Sequence, residues 1–243
     1  MSKPRLGLWL VGAKGGVATT VLTGLAALQQ QKTPPVGLVT ELEPFTQLGL
    51  VAFDAIVVGG HDIRPGPLGE EAHRMWRESR AITPDLLDAA GDLFAATEKR
   101  LRPGTIVAAG DKIASFAAAE TAALVETPRA AIARIREDLE AFRASEGLDR
   151  VIVVNVASTE PPPQLPMPDD YAAIEPLLDD ADGCPLPASS LYFVAAAEAG
   201  CHYINFTPST GSTPPALQRL ALDRGIAHAG CDGKTGETLL KSV

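Results

Sequence analysis

The segment that decides the fold is residues 6–20, whose sequence is LGLWLVGAKGGVATT. Its first six residues are apolar enough for a buried strand, and residues 17–31 have the composition of a crossover helix. Between them lie Gly12, Gly15 and Gly16, which permit a tight turn and a close approach of the backbone to a ligand. A strand, a glycine turn and a helix in this order predict a phosphate site at the helix N-terminus.

The rest of the chain alternates apolar runs with amphipathic stretches. This pattern predicts an α/β, doubly wound Rossmann-type NAD-binding domain with a mostly parallel sheet over residues 1–243. We expect further strands at residues 36–40, 55–58, 105–109, 151–156, 203–206 and 226–229. We expect further helices at residues 70–80, 84–100, 128–144, 189–199 and 214–224, and a helix beginning at residue 235.

Composition and charge exclude several classes of protein. Hydrophobic residues make up 46% of the 243 residues and charged residues 21%, which suits one large globular domain. The net charge of -9 argues against nucleic acid or a membrane surface as partner, since both need clustered Lys and Arg. No apolar run reaches the roughly 18 residues of a membrane span. The three cysteines are odd in number and widely spaced, which favours reduced thiols in a cytoplasmic protein.

The glycine loop has two nucleotide interpretations. One is the diphosphate loop of a dinucleotide-binding domain. The other is the P-loop of partitioning-type ATPases, because Lys14 and the three residues after it match the start of that motif. Those ATPases continue with Gly-Lys-Thr-Thr, whereas here Ala18 is followed directly by Thr19. The lysine that contacts the transferred phosphate is missing, so the loop favours a dinucleotide over ATP.

A dinucleotide site also needs an acidic residue near the end of the second strand, where it binds the adenosine ribose. With the second strand at residues 36–40, the candidates are Glu41 and Glu43. A glutamate that follows a strand is as often only a solvated surface group, so both interpretations stay open.

Five segments together resemble the myo-inositol-1-phosphate synthase family, especially its archaeal and bacterial branch. Their order and separation match over essentially the whole chain. The segments are the glycine loop, GGHDI at residues 59–63, VNVASTE at 154–160, YINFTPS at 203–209 and AGCDGKTGETLLK at 229–241.

The resemblance implies an isomerase that converts D-glucose 6-phosphate to 1D-myo-inositol 3-phosphate. Its NAD oxidises C5, is reduced, and returns the hydride after enolisation and aldol cyclisation. The family also implies a homotetramer and, in some members, a divalent cation. Its catalytic lysines lie in a sheet-rich domain expected to follow this one, so no catalytic residue is assigned. The alternatives are an NAD-binding module without catalysis and a simple dehydrogenase that accumulates NADH.

The resemblance further implies roles for single residues, with Asp62 near the adenosine ribose. The residues expected to contact NAD are Gly12, Lys14, Gly15, Gly16, Val17, Ala18, Asp62, Ala157, Ser158, Thr159 and Asp232. Those expected near the nicotinamide or the substrate are Asn205, Thr207 and Lys234. Those expected at the substrate phosphate are Thr235, Gly236, Glu237 and Thr238. By sequence alone the last four also fit a capping box at a helix start.

Overall fold

The computed structural model describes residues 4–180 and 182–233. They form a six-stranded sheet in which every neighbouring pair is parallel and the strand order is β3-β2-β1-β4-β5-β6. The strands are β1 (Leu6–Val11), β2 (Ile56–Asp62), β3 (Leu101–Pro103), β4 (Arg150–Asn155), β5 (His202–Asn205) and β6 (His228–Ala229). This order is that of a doubly wound dinucleotide-binding fold, so the predicted fold class is confirmed.

Helices cover both faces of the sheet. In the described residues they are α1 (Gly16–Gln29), α2 (Glu70–Ser79), α3 (Pro84–Glu98), α4 (Asp111–Ala114), α5 (Ala119–Ala122), α6 (Pro128–Glu146), α7 (Tyr171–Ile174), α8 (Ala188–Glu198) and α9 (Pro215–Arg224). Short 3-10 helices lie at Val39–Glu41, Phe45–Gln47, Phe53–Ala55 and Glu175–Asp179. Within the described part of the chain, no helix is both long and apolar enough to cross a membrane.

The central strand β1 separates two cores, because its side chains alternate between the faces of the sheet. Trp9 and Val11 pack with apolar residues of α6, α8 and α9. Leu10 packs on the opposite face with residues of α1, α2 and α3. Burial on both faces explains why β1 is a continuous apolar run and holds the middle of the sheet.

The predicted strand at residues 36–40 is wrong. These residues belong to a long irregular connection between α1 and β2, and Val36 is 84% exposed. Pro34 and Pro35 provide no N–H for a ladder, and Gly37 has a φ of 84°. The second strand is therefore β2, and neither Glu41 nor Glu43 follows a strand.

The predicted strand at residues 105–109 is also wrong. The edge strand β3 ends at Pro103, which lacks an N–H and is tolerated only where pairing stops. Ala108 and Gly110 then have φ values of 54° and 83°, which a strand cannot accommodate. The other predicted strands, and the predicted helices up to residue 224, are present with shifted ends, the largest shift being the extension of β2 to Asp62. The helix predicted to begin at residue 235 lies outside the described residues.

Candidate functional site

The candidate site is a crevice at the carboxyl ends of β1 and β4. The chain leaves these neighbouring strands toward opposite sides of the sheet, and such a switch point is where doubly wound folds bind ligands. A cavity of about 590 Å³ opens there, lined by the residues that follow β1, β2 and β4 and by the start of α8.

A glycine turn forms the floor of the crevice. Gly12 has a φ of 86°, and a Cβ at this position would lie 2.7 Å from the Cα of Ala157. The N–H groups of Gly12 and Ala13 both donate to the carbonyl of His61, at 2.9 and 3.1 Å. The ends of β1, β2 and β4 therefore meet at a point that has no room for a side chain at residue 12.

The N-terminus of α1 faces the cavity without a side-chain cap. The N-cap residue is Gly15, which makes no capping hydrogen bond, and the first turn contains no acidic residue. Gly16 and Val17 both line the cavity. Free N–H groups and the positive end of the helix dipole thus point to a binding place for an anion such as a diphosphate.

Asp62 ends β2 and connects two loops, the one that follows β1 and the one that follows β2. One carboxylate oxygen accepts from the N–H of Lys14 at 2.7 Å, and the other from the N–H of Arg64 at 2.8 Å. The ammonium of Lys14 donates to the carbonyl of Arg64 at 3.1 Å. The Asp62 side chain is only 4% exposed yet lines the cavity. It stands where a dinucleotide domain has its ribose-binding acid, the role first considered for Glu41 and Glu43.

A second carboxylate, on α2, overlooks the start of α1. A Cβ built at Gly16 would lie 3.3 Å from the Oε1 of Glu71. The Nε of Arg74 donates to Glu71 at 2.9 Å, and this hydrogen bond holds the pKa of the Glu71 carboxyl below its usual value. An ionised carboxylate therefore lies beside the free N–H groups of α1.

Glu160 lies on the β4 side of the same cavity. The Ser189 hydroxyl, in the first turn of α8, donates to its Oε1 and accepts from the N–H of Gly211 at 2.8 Å. The phenol of Tyr203 donates to the carbonyl of Ser189 at 3.1 Å. Burial raises the pKa of the Glu160 carboxyl, and the hydrogen bond from Ser189 opposes this shift only in part.

Buried amides hold the loop that follows β5. The Nδ2 of Asn155 donates to the Oδ1 of Asn205 at 3.2 Å and to the hydroxyl of Thr207 at 3.3 Å. The Nδ2 of Asn205 donates to the carbonyl of Ser209 at 2.7 Å. Only Asn155 of this network lines the cavity.

His61 closes the cavity from below. Its Nδ1 accepts from the indole N–H of Trp9 at 2.8 Å, and its Nε2 lies 3.1 Å from a carboxylate oxygen of Asp138. Burial lowers the pKa of His61, although Asp138 acts in the opposite direction. The uncharged ring joins the apolar core to the polar crevice.

The family model described as the NAD-binding, myo-inositol-1-phosphate synthase model matches residues 6–241. The chain belongs to the myo-inositol-1-phosphate synthase family. This match confirms the resemblance seen in the sequence, and with it NAD as the cofactor.

Individual relatives agree with the family assignment. Inositol-3-phosphate synthase 1 of Bacteroides thetaiotaomicron is 28% identical over 98% of this chain and 56% of that protein. The human protein of the same name is 30% identical over 99% of this chain and 46% of its own length. The Caenorhabditis elegans inositol-3-phosphate synthase structure matches with a TM-score of 0.79 at 21% identity, over 100% of this chain and 52% of that one. The chain thus spans about half the length of the curated relatives it matches.

The family fold brings most of the predicted NAD residues to one crevice. Ala157 and Ser158 line the cavity, whereas Thr159 is exposed beside it. Ala18 is fully buried beneath the glycine turn, so only its backbone N–H is available to an anion. Asp232 is exposed. The contacts of all these residues with a ligand stay predictions.

The residues predicted near the substrate are less centrally placed. Asn205 and Thr207 are buried in the amide network, so their expected contact with nicotinamide or substrate stays a prediction. The other residues of this group lie outside the described residues: Lys234, Thr235, Gly236, Glu237 and Thr238. The described residues contain no cluster of three His, Cys, Asp or Glu side chains suited to a metal ion, and the divalent cation also stays a prediction.

Sequence reasoning did not single out several side chains that line the crevice. Glu160 ends a family segment and precedes three prolines, a pattern that marks the end of a strand and gives the carboxyl no role. Glu71 and Ser189 belong to helices far from the glycine loop in sequence, so no local pattern could place them.

Proposed function

We propose that this chain binds NAD in the β1–β4 crevice as part of an inositol-3-phosphate synthase. The reaction is the isomerisation of D-glucose 6-phosphate to 1D-myo-inositol 3-phosphate with NAD regenerated in each turnover. The observation that carries the proposal is the family match over residues 6–241, in a chain whose relatives bear the name inositol-3-phosphate synthase.

The residues present fit the cofactor. The uncapped N-terminus of α1 suits the diphosphate, and the turn at Gly12 lets that group approach the backbone. Asp62 stands at the end of β2 for the adenosine ribose. When bound, NAD supplies a reversible hydride acceptor for a sugar carbon. The protein's own residues orient the cofactor and exclude water from its inner end.

The proposal extends to the substrate phosphate, the assembly state and a metal ion. Thr235, Gly236, Glu237 and Thr238 receive the phosphate of glucose 6-phosphate, and Lys234 lies nearby. The working enzyme is a cytoplasmic homotetramer that, like some members of the family, uses a divalent cation. Light scattering during size-exclusion chromatography measures the assembly state, and a monomer at micromolar concentration would contradict the tetramer.

Phosphorus NMR tests the activity directly. Purified protein is incubated with glucose 6-phosphate and one-tenth as much NAD, with and without magnesium. A new inositol-phosphate resonance that exceeds the NAD supplied is the expected result, because the cofactor is recycled. Calorimetric titration of NAD on the same sample establishes binding separately from turnover.

One structural observation favours a second candidate, an NAD-binding module that does not turn over. Among the described residues, no lysine lines the cavity, and both of its arginines, Arg64 and Arg74, come from the β2–α2 side. Enolisation next to a carbonyl needs a positioned cation and an acid–base group. NAD binding with an unchanged phosphorus spectrum supports this candidate. A simple dehydrogenase would instead accumulate NADH absorbance, and a partitioning-type ATPase would release phosphate from ATP.

A further inference from the structure

Arg64 is a cation of the crevice that belongs to none of the five family segments. It lies two residues after the end of β2 and lines the cavity, and its side chain is 37% exposed. A Cβ built at Gly15 would lie 3.8 Å from the Nη2 of Arg64, so the guanidinium stands beside the N-cap residue of α1. A permanent positive charge thus adjoins the uncapped N-terminus of the helix.

The neighbouring loops hold the backbone of Arg64 and leave most of its guanidinium free. Its N–H donates to Asp62 at 2.8 Å, and its carbonyl accepts from the ammonium of Lys14 at 3.1 Å. Its Nε lies 3.4 Å from the same oxygen of Asp62, a long contact that orients the side chain. Among the described residues, neither Nη1 nor Nη2 of Arg64 donates a hydrogen bond to the protein. Both nitrogens are therefore available to a ligand.

The other cations near the glycine turn already have partners within the protein. Arg74 donates from Nε and Nη2 to Glu71, and from Nη1 to Glu78. The ammonium of Lys14 is bonded to the carbonyl of Arg64. No ion pair joins Arg64 to Glu71 in the described part of the chain, since Glu71 takes its hydrogen bonds from Arg74. The guanidinium of Arg64 is therefore the group best able to meet the charge of an anion at this place.

We propose that the guanidinium of Arg64 binds the diphosphate of the dinucleotide together with the N-terminus of α1. The inference rests on the proposed function, since it takes NAD as the ligand of the crevice. The planar fork of N–H groups matches two phosphate oxygens, and such charge-assisted bonds are stronger than neutral ones. They slow the dissociation of the cofactor. Slow dissociation suits an NAD that must stay bound from the oxidation of the sugar until the hydride is returned.

Calorimetry at 0.05 M salt tests this assignment. NAD, ADP-ribose and NADP, which all contain the diphosphate, are titrated into the wild type, Arg64→Gln and Arg64→Lys. Arg77→Gln, which removes the same charge from an exposed position of α2, is the matched control and should change affinity less than about twofold. We expect Arg64→Gln to weaken NAD and ADP-ribose equally, by about tenfold, the loss of one hydrogen bond to a charged group. Arg64→Lys keeps the charge and should lose only about threefold.

Ionic strength gives a readout that a structural role would not move. The contribution of Arg64 is electrostatic, so the difference between the wild type and Arg64→Gln should shrink to about threefold or less at 0.5 M salt. Unchanged NAD affinity in Arg64→Gln would overturn the inference alone. So would a loss that is independent of salt and equal in both variants, which indicates stacking on the adenine, or a loss confined to NADP, which indicates a contact with the 2′-phosphate. Failure of the wild type to bind NAD would overturn the proposed function as well.

Discussion

The two halves of the crevice use different chemistry. The half formed by β1, β2 and α2, here called the adenosine half, carries ionised side chains and free backbone amides. Its charged members are Asp62, Arg64, Glu71 and Arg74. The half formed by β4, β5 and α8, here called the nicotinamide half, carries amides, hydroxyls and a buried carboxyl without a cation. Of its polar members, Asn155, Glu160 and Ser189 line the cavity, whereas Asn205 and Thr207 belong to the buried amide network.

We propose that the difference follows from the part of NAD that each half binds. A diphosphate keeps its charge and part of its solvent, so exposed charges and helix N–H groups can hold it. The reacting ring needs a dry and rigid surround, in which an unpaired charge would be costly. Most polar side chains of the nicotinamide half are therefore bonded to one another, whereas the N-terminus of α1 in the adenosine half has no side-chain cap.

The largest expected effect comes from the turn between the halves. Gly12→Val places a side chain where the φ is 86° and the Cα of Ala157 lies 2.7 Å from the new Cβ. We expect a loss of about 3 kcal/mol or more in the free energy of unfolding, measured in urea, together with loss of NAD binding. Gly24→Ala is the control, since nothing lies within 4 Å of its added Cβ in α1. That variant should gain up to about 1 kcal/mol. Equal behaviour of the two variants would contradict the close approach at Gly12.

The second-largest effect is expected in the nicotinamide half. Asn205→Ala removes the partner of Asn155 and the bond to the carbonyl of Ser209, and leaves those buried groups unsatisfied. We expect the free energy of unfolding to fall by about 2 kcal/mol. The loss should be the same at 0.05 and 0.5 M salt, because no ionised group takes part. A salt-dependent loss would show that the two halves are not electrostatically distinct.

A smaller effect is expected in the adenosine half from Asp62→Asn. The amide keeps one acceptor but loses the charge-assisted bonds to the N–H groups of Lys14 and Arg64. NAD affinity should fall about tenfold, which corresponds to the roughly 1.5 kcal/mol of a bond to a charged group. Discrimination against NADP should weaken as well, because a carboxylate near the ribose repels a 2′-phosphate. Calorimetry with both cofactors measures this, and unchanged selectivity would remove Asp62 from the ribose site.

The smallest expected effect has the opposite sign. Glu71→Gln removes a negative charge beside the N-terminus of α1, so a bound diphosphate is less repelled. NAD affinity should rise about threefold at low salt, within the range of partly exposed charge pairs, and the gain should vanish at high salt. Glu78→Gln, another partner of Arg74 but exposed at the far end of α2, is the control. A weaker affinity would mean that Glu71 contacts the ligand favourably.

The sequence predicted the loops of the crevice better than the connection between α1 and β2. The apolar run before Gly12 and the helix after Gly16 are local signals, and the family segments located Asp62. The strand proposed at residues 36–40 failed because hydrophobic content cannot show that Pro34, Pro35 and an exposed environment prevent pairing. Periodicity alone cannot show that a segment has no neighbouring strand with which to pair.

The nicotinamide half was the harder one to predict. Ser189 approaches Glu160 across 29 residues, and only the packing of α8 against β4 and β5 brings them together. The hydrogen bonds among Asn155, Asn205 and Thr207 join two strands in the same way. Local patterns therefore locate charged loops, whereas a neutral buried network becomes visible only in three dimensions.

Binding of NAD in the crevice is tested most directly by calorimetric competition. NAD, ADP-ribose and Mg-ATP are each titrated into the wild-type protein, and NAD is titrated again in the presence of ADP-ribose. We predict one NAD per chain, competitive displacement by ADP-ribose, and weaker binding of Mg-ATP without hydrolysis. Failure of NAD to bind, or preferential binding of Mg-ATP with phosphate release, would contradict the assignment of this crevice to a dinucleotide.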